Sequence, residues 1–153
     1  MVNIIETKEY NDEYIALWQQ AFGDSREDVL FFLENVKHIS CLCLYDNKLC
    51  SMLFLVDCKV DENNYKYIYA ACTDKTCRKN GYMSMLLNYA QNNYNNIVLI
   101  PADDSLVNYY AKRNFNHKVD INNILFNECS EIKAYLFEGC SLEAPFALAY
   151  IGD

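Results

Sequence analysis

The chain has 153 residues, with 13 Lys and Arg against 21 Asp and Glu for a formal net charge of −8, and it is 52% hydrophobic, 14% aromatic and 22% charged. This is one domain's worth of sequence with ample apolar material for a core, which excludes a disordered or fibrous chain. The acidic total argues against a non-specific nucleic-acid binder, whose phosphate contacts need a cationic surface, and leaves either a neutral or cationic partner or plain solubility as its meaning.

Taken in chain order, Val2 to Glu6 is a strand candidate. From Tyr10, apolar residues recur at Tyr14, Leu17, Trp18 and Ala21, the spacing of one helical face, and Gly23 stops the run. A second helix starts at Ser25, whose hydroxyl can cap while Asp28 completes a capping-box pattern, and it buries Val29, Phe32, Leu33 and Val36. The period then changes. His38 to Tyr45, Lys48 to Val60 and Tyr65 to Thr73 are β-rich, and the turn signals Asp46-Asn47 and Asp61-Glu62-Asn63-Asn64 join them into an antiparallel meander. A polar loop leads into a helix from about Gly81 to Tyr94, with Met83, Leu86, Leu87 and Ala90 on one face. Ile97-Val98-Leu99-Ile100 has no alternation and reads as a strand buried on both sides, ended by Pro101. A helix over Ser105 to Arg113 and strands over Val119 to Phe126 and Phe137 to the C-terminus complete the order βααβββαβαββ. This is an α/β fold, a mixed and mostly antiparallel central sheet flanked by helices.

Four glycines, two prolines and no linker or repeat leave residues 1–153 as a single domain. Cys41, Cys43, Cys50, Cys58, Cys72, Cys77, Cys129 and Cys140 form no C-x-x-C pair, and only His38 and His117 could assist them, so no metal site is expected. Buried, reduced thiols are the expectation. The N-terminus lacks a secretory pattern, and no apolar run approaches a membrane helix, which together point to a cytoplasmic protein with no membrane partner.

The chemistry concentrates between Ala70 and Ser84. A loop that turns into a helix N-terminus leaves backbone N–H groups without intrahelical partners, backed by the positive end of the helix dipole. Gly81 permits close backbone approach, and Lys75, Arg78 and Lys79 put three cations in five residues of an otherwise acidic chain. A pyrophosphate suits this anion site. Neither G-x-x-x-x-G-K-[ST] nor G-x-G-x-x-G is present, and a solvated basic turn is the plain alternative.

Arg78-x-x-Gly81-x-Met83 after a strand, followed by Leu99 to Phe115 with Tyr110-x-x-x-Asn114-Phe115 at its end, resembles the GNAT superfamily of acetyl-CoA-dependent N-acetyltransferases. Leu17-Trp18-Gln19-Gln20-Ala21-Phe22-Gly23-Asp24-Ser25 is similar to the entry helices of bacterial members, and the element order is that of the family. The resemblance implies acetyl-CoA as co-substrate, held by Ala71, Cys72, Thr73, Arg78, Lys79, Asn80, Gly81, Tyr82, Met83 and Ser84, and Tyr110 as general acid. Two residues depart from the family pattern. Met83 stands where Gly or Ala is usual, and so either crowds the phosphates or points into the core, while Asn114 replaces Gly but tolerates the left-handed conformation. No carboxylate lies in Tyr65 to Cys72 to act as base; Glu62 precedes that strand and Asp103 and Asp104 follow the fifth, where a water-linked route is the alternative to plain solvated charge. Cys72 lacks a partner that would activate it as a nucleophile.

The expected acceptor is a primary amine of a small molecule or peptide, with Trp18, Phe22, Phe31, Phe32, Tyr67 and Tyr69 as candidate walls. Two other readings stand beside this one: an acyl-CoA-binding sensor or interaction module that has lost turnover, and a dimerisation module without ligand. The apolar segment Ala144 to Ile151 offers an edge strand for a homodimer.

Overall fold

The computed structural model describes residues 1–138 and 145–152. The elements run β1 (Asn3–Thr7), α1 (Asp12–Phe22), α2 (Arg26–Asn35), β2 (Ile39–Tyr45), β3 (Leu49–Val60), β4 (Asn63–Thr73), α3 (Tyr82–Asn93), β5 (Asn96–Leu99), α4 (Asp104–Ala111), β6 (His117–Val119), β7 (Ile124–Phe126), α5 (Ser130–Leu136) and β8 (Ala147–Ile151).

Local chemistry sets the helix ends. The Asn11 side chain accepts from the N–H groups of Glu13 (2.9 Å) and Tyr14 (3.2 Å) at the start of α1, and Gly23 ends the helix in the left-handed region at φ 74°. Ser25 caps α2 through the Asp28 N–H at 3.1 Å, which is the expected half of the capping box. The tight β3–β4 connection places Asp61 (φ 49°) and Glu62 (φ 73°) consecutively in the left-handed region, the twist-matched geometry of a short hairpin. That tightness lets β4 begin at Asn63, two residues before the expected Tyr65.

The sheet order is β1-β2-β3-β4-β5-β8-β6, with β7 paired to β3 beyond the end of β2. Every described pairing is antiparallel except β4 with β5. One face carries α1, α2 and α5 over a core that includes Trp18, Phe32, Cys41, Cys43, Phe54 and Ile132. Leu42, Leu44, Leu86, Leu87, Leu99 and Phe115 pack on the opposite face under α3 and α4. Burial on both faces is why Cys41 to Leu44 of β2 and Met52 to Val56 of β3 read as continuous apolar runs.

Three expectations about the C-terminal third are corrected. Residues 119–126 are not one strand: a 3-10 turn at Ile121–Asn123 separates β6 from β7, so the chain leaves β8 and rejoins the sheet at β3. The segment after Phe126 holds a helix, α5, whose Ile132 and Leu136 are fully buried, and the last strand begins at Ala147 rather than Phe137. That strand is not a free edge. β8 lies between β5 and β6, pairing Ala147 to Ile151 on one or both sides, so its apolar character is explained within the chain; Ala144 lies outside the described residues.

None of the described cysteines forms a disulfide. Cys41, Cys43, Cys50, Cys58, Cys72 and Cys77 are buried, whereas Cys129 is exposed beside α5; Cys140 lies outside the described residues. No helix among the described residues is long and apolar enough to cross a membrane.

Candidate functional site

The one parallel pairing shapes a cleft. β4 and β5 are matched only at Lys66 with Ile97 and Tyr67 with Val98, and beyond these positions the two strands diverge. Within the divergence β4 carries a bulge: Met52 pairs with Cys72 and Phe54 with Tyr69, so Ala70 and Ala71 share one opposite position, Leu53. Ala70 takes φ 54°, an unusual value for alanine, and the extra residue points Tyr69 and Ala70 to the same face. Ala71 faces the other. The local ladder is broken here on both sides, which leaves strand backbone free to pair with an extended ligand.

A cavity of about 340 Å³ fills the divergence and is lined by residues of α1, β4, β5 and α4, among them Trp18, Tyr69, Ala70, Ala71, Leu106 and Tyr110. Tyr110 is only 9% exposed, wedged against Tyr109 and Phe115 at ring-centroid separations of 5.2 and 6.0 Å. Its hydroxyl has no hydrogen-bond partner among the described residues, while every fully buried side-chain N or O there has one, so this hydroxyl opens on the cavity. Burial, and then Tyr109, push its pKa up to about 12, which keeps the phenol protonated at neutral pH.

The basic loop lies at the C-terminal end of the same strand. After Thr73, the Asp74 carboxylate caps a 3-10 turn at Lys75–Cys77, accepting from the Thr76 N–H (2.8 Å) and hydroxyl (2.7 Å), and these bonds lower its pKa to about 2. Gln20 of α1 braces the turn, accepting from the Lys75 N–H at 2.9 Å. Lys79 (φ 70°) and Gly81 (φ 74°) are both left-handed, and α3 begins at Tyr82 with no side-chain cap, so its first N–H groups are left for another acceptor. A Cβ built on Gly81 would meet nothing within 4 Å: the glycine serves the backbone angle, and the space over it is open. Arg78, Lys79 and Lys75 are exposed, and none forms an ion pair among the described residues.

The expected ligand-binding residues divide accordingly. Arg78, Lys79, Gly81 and the start of α3 form the open loop, and Ala71 lines the cavity. Asn80 turns its amide back on the Cys77 carbonyl at 2.8 Å, and Ser84 accepts from Arg113 Nε at 2.8 Å, so both side chains brace the loop and helix. Tyr82 donates to Asp46. Met83 is half-buried and packs on the apolar cluster beneath α3, the core-facing of its two alternatives. Thr73 shares a hydrogen bond with Ser51 at 2.9 Å. Cys72 is buried with its thiol pushed up to about 12, an inert group.

Of the expected wall, Trp18, Phe22, Tyr67 and Tyr69 line the cavity; Phe32 is fully buried behind Trp18 and Tyr69, and Phe31 lies outside against Tyr135. Glu62 sits at the hairpin, at the other end of β4 from Thr73, and Asp103 caps α4 through the Leu106 N–H. The carboxylates on the cavity are Asp24 and Glu138, which sequence reading passed over. Asp24 follows the left-handed Gly23, and its Oδ2 accepts from Trp18 Nε1 at 2.8 Å. Among the described residues no group of three or more His, Cys, Asp or Glu could hold a metal ion.

The family model for the acetyltransferase (GNAT) domain matches residues 5–117. No curated protein matches the sequence significantly. Among solved structures of similar fold, a Bacillus subtilis acetyltransferase in complex with CoA has a TM-score of 0.63 at 16% identity, over 99% of both chains. N-acetylglutamate synthase from Neisseria gonorrhoeae, complexed with coenzyme A and N-acetyl-glutamate, has 0.64 at 16% identity over all of this chain. A conserved Enterococcus faecalis protein has 0.57 at 17% identity over 72% of this chain. This chain spans 35% of the Neisseria protein and 31% of the Enterococcus protein. At these identities the structural likeness is one of fold, while the family model covers most of the chain, from β1 to the first residue of β6. The chain belongs to the GNAT acetyltransferase family.

Proposed function

We propose that this protein is an acetyl-CoA-dependent N-acetyltransferase that acts on the primary amine of a small molecule or peptide by direct transfer. One observation carries the reading: a buried phenol, Tyr110, whose hydroxyl has no partner among the described residues, opens on the cleft where β4 breaks its ladder. Such a hydroxyl has no structural duty to perform, and its site can supply a proton.

The basic loop fits the coenzyme's diphosphate. Arg78 and Lys79 offer unpaired charge, the uncapped first turn of α3 offers N–H donors, and Gly81 leaves the approach clear. Bound acetyl-CoA supplies an acetyl thioester, in which a C–N bond to the amine replaces the C–S bond and the thiol leaves. Tyr110 delivers the proton that the departing sulfur takes, and is refilled from solvent by the proton that the amine gives up. The opened backbone at Ala70 and Ala71 positions the acyl arm along β4. Cys72, buried and held protonated, takes no covalent part.

Thiol release over a panel of amines tests this directly. An acceptor-dependent rise in release, with acetylated amine as the product, is the expected result. Coenzyme binding with no acceptor-dependent release from any amine would replace the reading with that of an acyl-CoA-binding sensor.

A further inference from the structure

The cavity has a charge pattern that acetyl transfer alone does not call for. Among the described residues its lining includes two carboxylates, Asp24 and Glu138, and no lysine, arginine or histidine. Asp24 is anchored rather than free: Trp18 holds Oδ2 and Gln19 Nε2 reaches its carbonyl at 3.3 Å, while Oδ1 has no partner among the described residues. Neither carboxylate forms an ion pair with a described residue. Both lie close enough to the Tyr69 hydroxyl to push its pKa up, after burial has done most of that work. Around them stand the faces and edges of Trp18, Phe22 and Tyr69, with Trp18 lying 6.4 Å from Phe22 and 5.7 Å from Tyr69 between centroids. Aromatic rings beside unpaired carboxylates favour an ammonium group.

A second observation, independent of the acids, points to a ligand in this cavity. Tyr110, nine-tenths buried and with no partner for its hydroxyl among the described residues, opens on the same space. The cavity is therefore lined both by a proton donor and by carboxylates among aromatic rings. Its volume of about 340 Å³ is at the small end for ligand sites, which favours a compact acceptor over a folded protein surface.

We propose that the acceptor is a small di- or polyamine: one nitrogen, uncharged, takes the acetyl group, and a second, distal ammonium is held by Asp24 and Glu138, which are thereby specificity-determining. The inference rests on the acetyltransferase reading above and adds the substrate class. A single-headed amine leaves both carboxylates unpaired, and a carboxylated acceptor is repelled by them. The acidic surface of a chain with net charge −8 also attracts such a cation from a distance.

The test compares 1-aminobutane, 1,4-diaminobutane, a linear triamine and a short peptide with a free N-terminus as acceptors, measured as kcat/KM for acetyl-CoA-dependent thiol release. The diamine is expected to exceed the monoamine by about 100-fold, and D24N and E138Q are each expected to cut that ratio by about ten-fold, the size of one partly screened charge contact. D24N keeps an oxygen for the Trp18 indole, and Glu138 is exposed, so neither change removes a core contact. Raising the salt concentration should also shrink the ratio. Equal rates for monoamine and diamine, or a peptide that outruns both, would overturn the inference and leave acetyl transfer standing. Carboxylate variants that slow monoamine and diamine equally would also overturn it, since that is the signature of a base rather than of cation recognition. No release with any amine overturns both readings.

Discussion

The basic loop from Asp74 to Ser84 and the cavity beside Ala70 sit at the two ends of a few residues of one strand, yet they are made by opposite routes. The loop is local. Its cap, its two left-handed residues and its helix start all lie within eleven consecutive positions, and its cations are exposed where a phosphate can reach them. The cavity is assembled from distant parts: Trp18 and Asp24 from the first helix and its exit, Ala70 from a bulge, Tyr110 from α4 and Glu138 after α5. A phosphate can be held by charge and backbone donors that a short segment supplies, whereas transfer to a chosen amine needs groups that converge from several directions. Binding and chemistry should therefore separate cleanly by mutation.

The sharpest break in that comparison is Tyr110→Phe, which keeps the ring and removes only the hydroxyl. Turnover should fall by about 10²- to 10⁴-fold, the usual worth of a positioned proton donor, with coenzyme affinity by calorimetry nearly unchanged. A large loss of affinity instead would place Tyr110 on the binding side. Next is Gly81→Val, at φ 74°. Forcing a β-branched residue into the left-handed region costs at least about 1–2 kcal/mol, so coenzyme binding should weaken by roughly ten-fold or more. Affinity unaffected by this change would show that the loop does not hold the coenzyme in this conformation. The double variant Arg78→Ala with Lys79→Ala should weaken binding by about three- to ten-fold at low ionic strength, with the deficit closing as salt rises, because both side chains are exposed. A deficit insensitive to salt would mean that these residues act through packing instead.

The smallest effect concerns pH. Tyr110 has its folded pKa raised from an ordinary value near 10 to about 12 by burial, so the stabilisation from keeping it protonated is fully present below about pH 10 and is lost as the pH climbs towards 12. Denaturant midpoints should fall over that alkaline window, and fall less in Tyr110→Phe. Turnover should likewise show no loss attributable to this phenol before about pH 11; an alkaline limb centred near 10 and absent from the variant would mean that the phenol titrates as if in water.

How much could be read in advance follows the same division. Amphipathic spacing at Tyr14, Leu17 and Trp18, the Ser25 cap and the turn residues before β3 and β4 are short-range signals, and the first nine elements, β1 to α4, follow from such signals with small boundary shifts. The C-terminal third misled because its strands are short. β6 and β7 have three residues each, and the turn between them sends the chain to a different partner strand, which no local period encodes. At the site, Gly81, Arg78 and Tyr110 carried recognisable spacing. Asp24 and Glu138 did not, because a carboxylate after a helix or near a chain end looks like any solvated charge until the fold turns it to a cavity.

By itself the sequence determined the first four helices, the central hairpins, the basic loop and its likeness to the GNAT family, because caps, turns, periodicity and a glycine-anchored helix start are properties of neighbouring residues. Only the tertiary structure decided that the last strand lies inside the sheet, that Met83 packs inward and that Tyr110 opens on the same cavity as two carboxylates that have no ion pair among the described residues. Those facts depend on which strands pair and where one parallel pair comes apart, and pairing is a long-range choice made by burial.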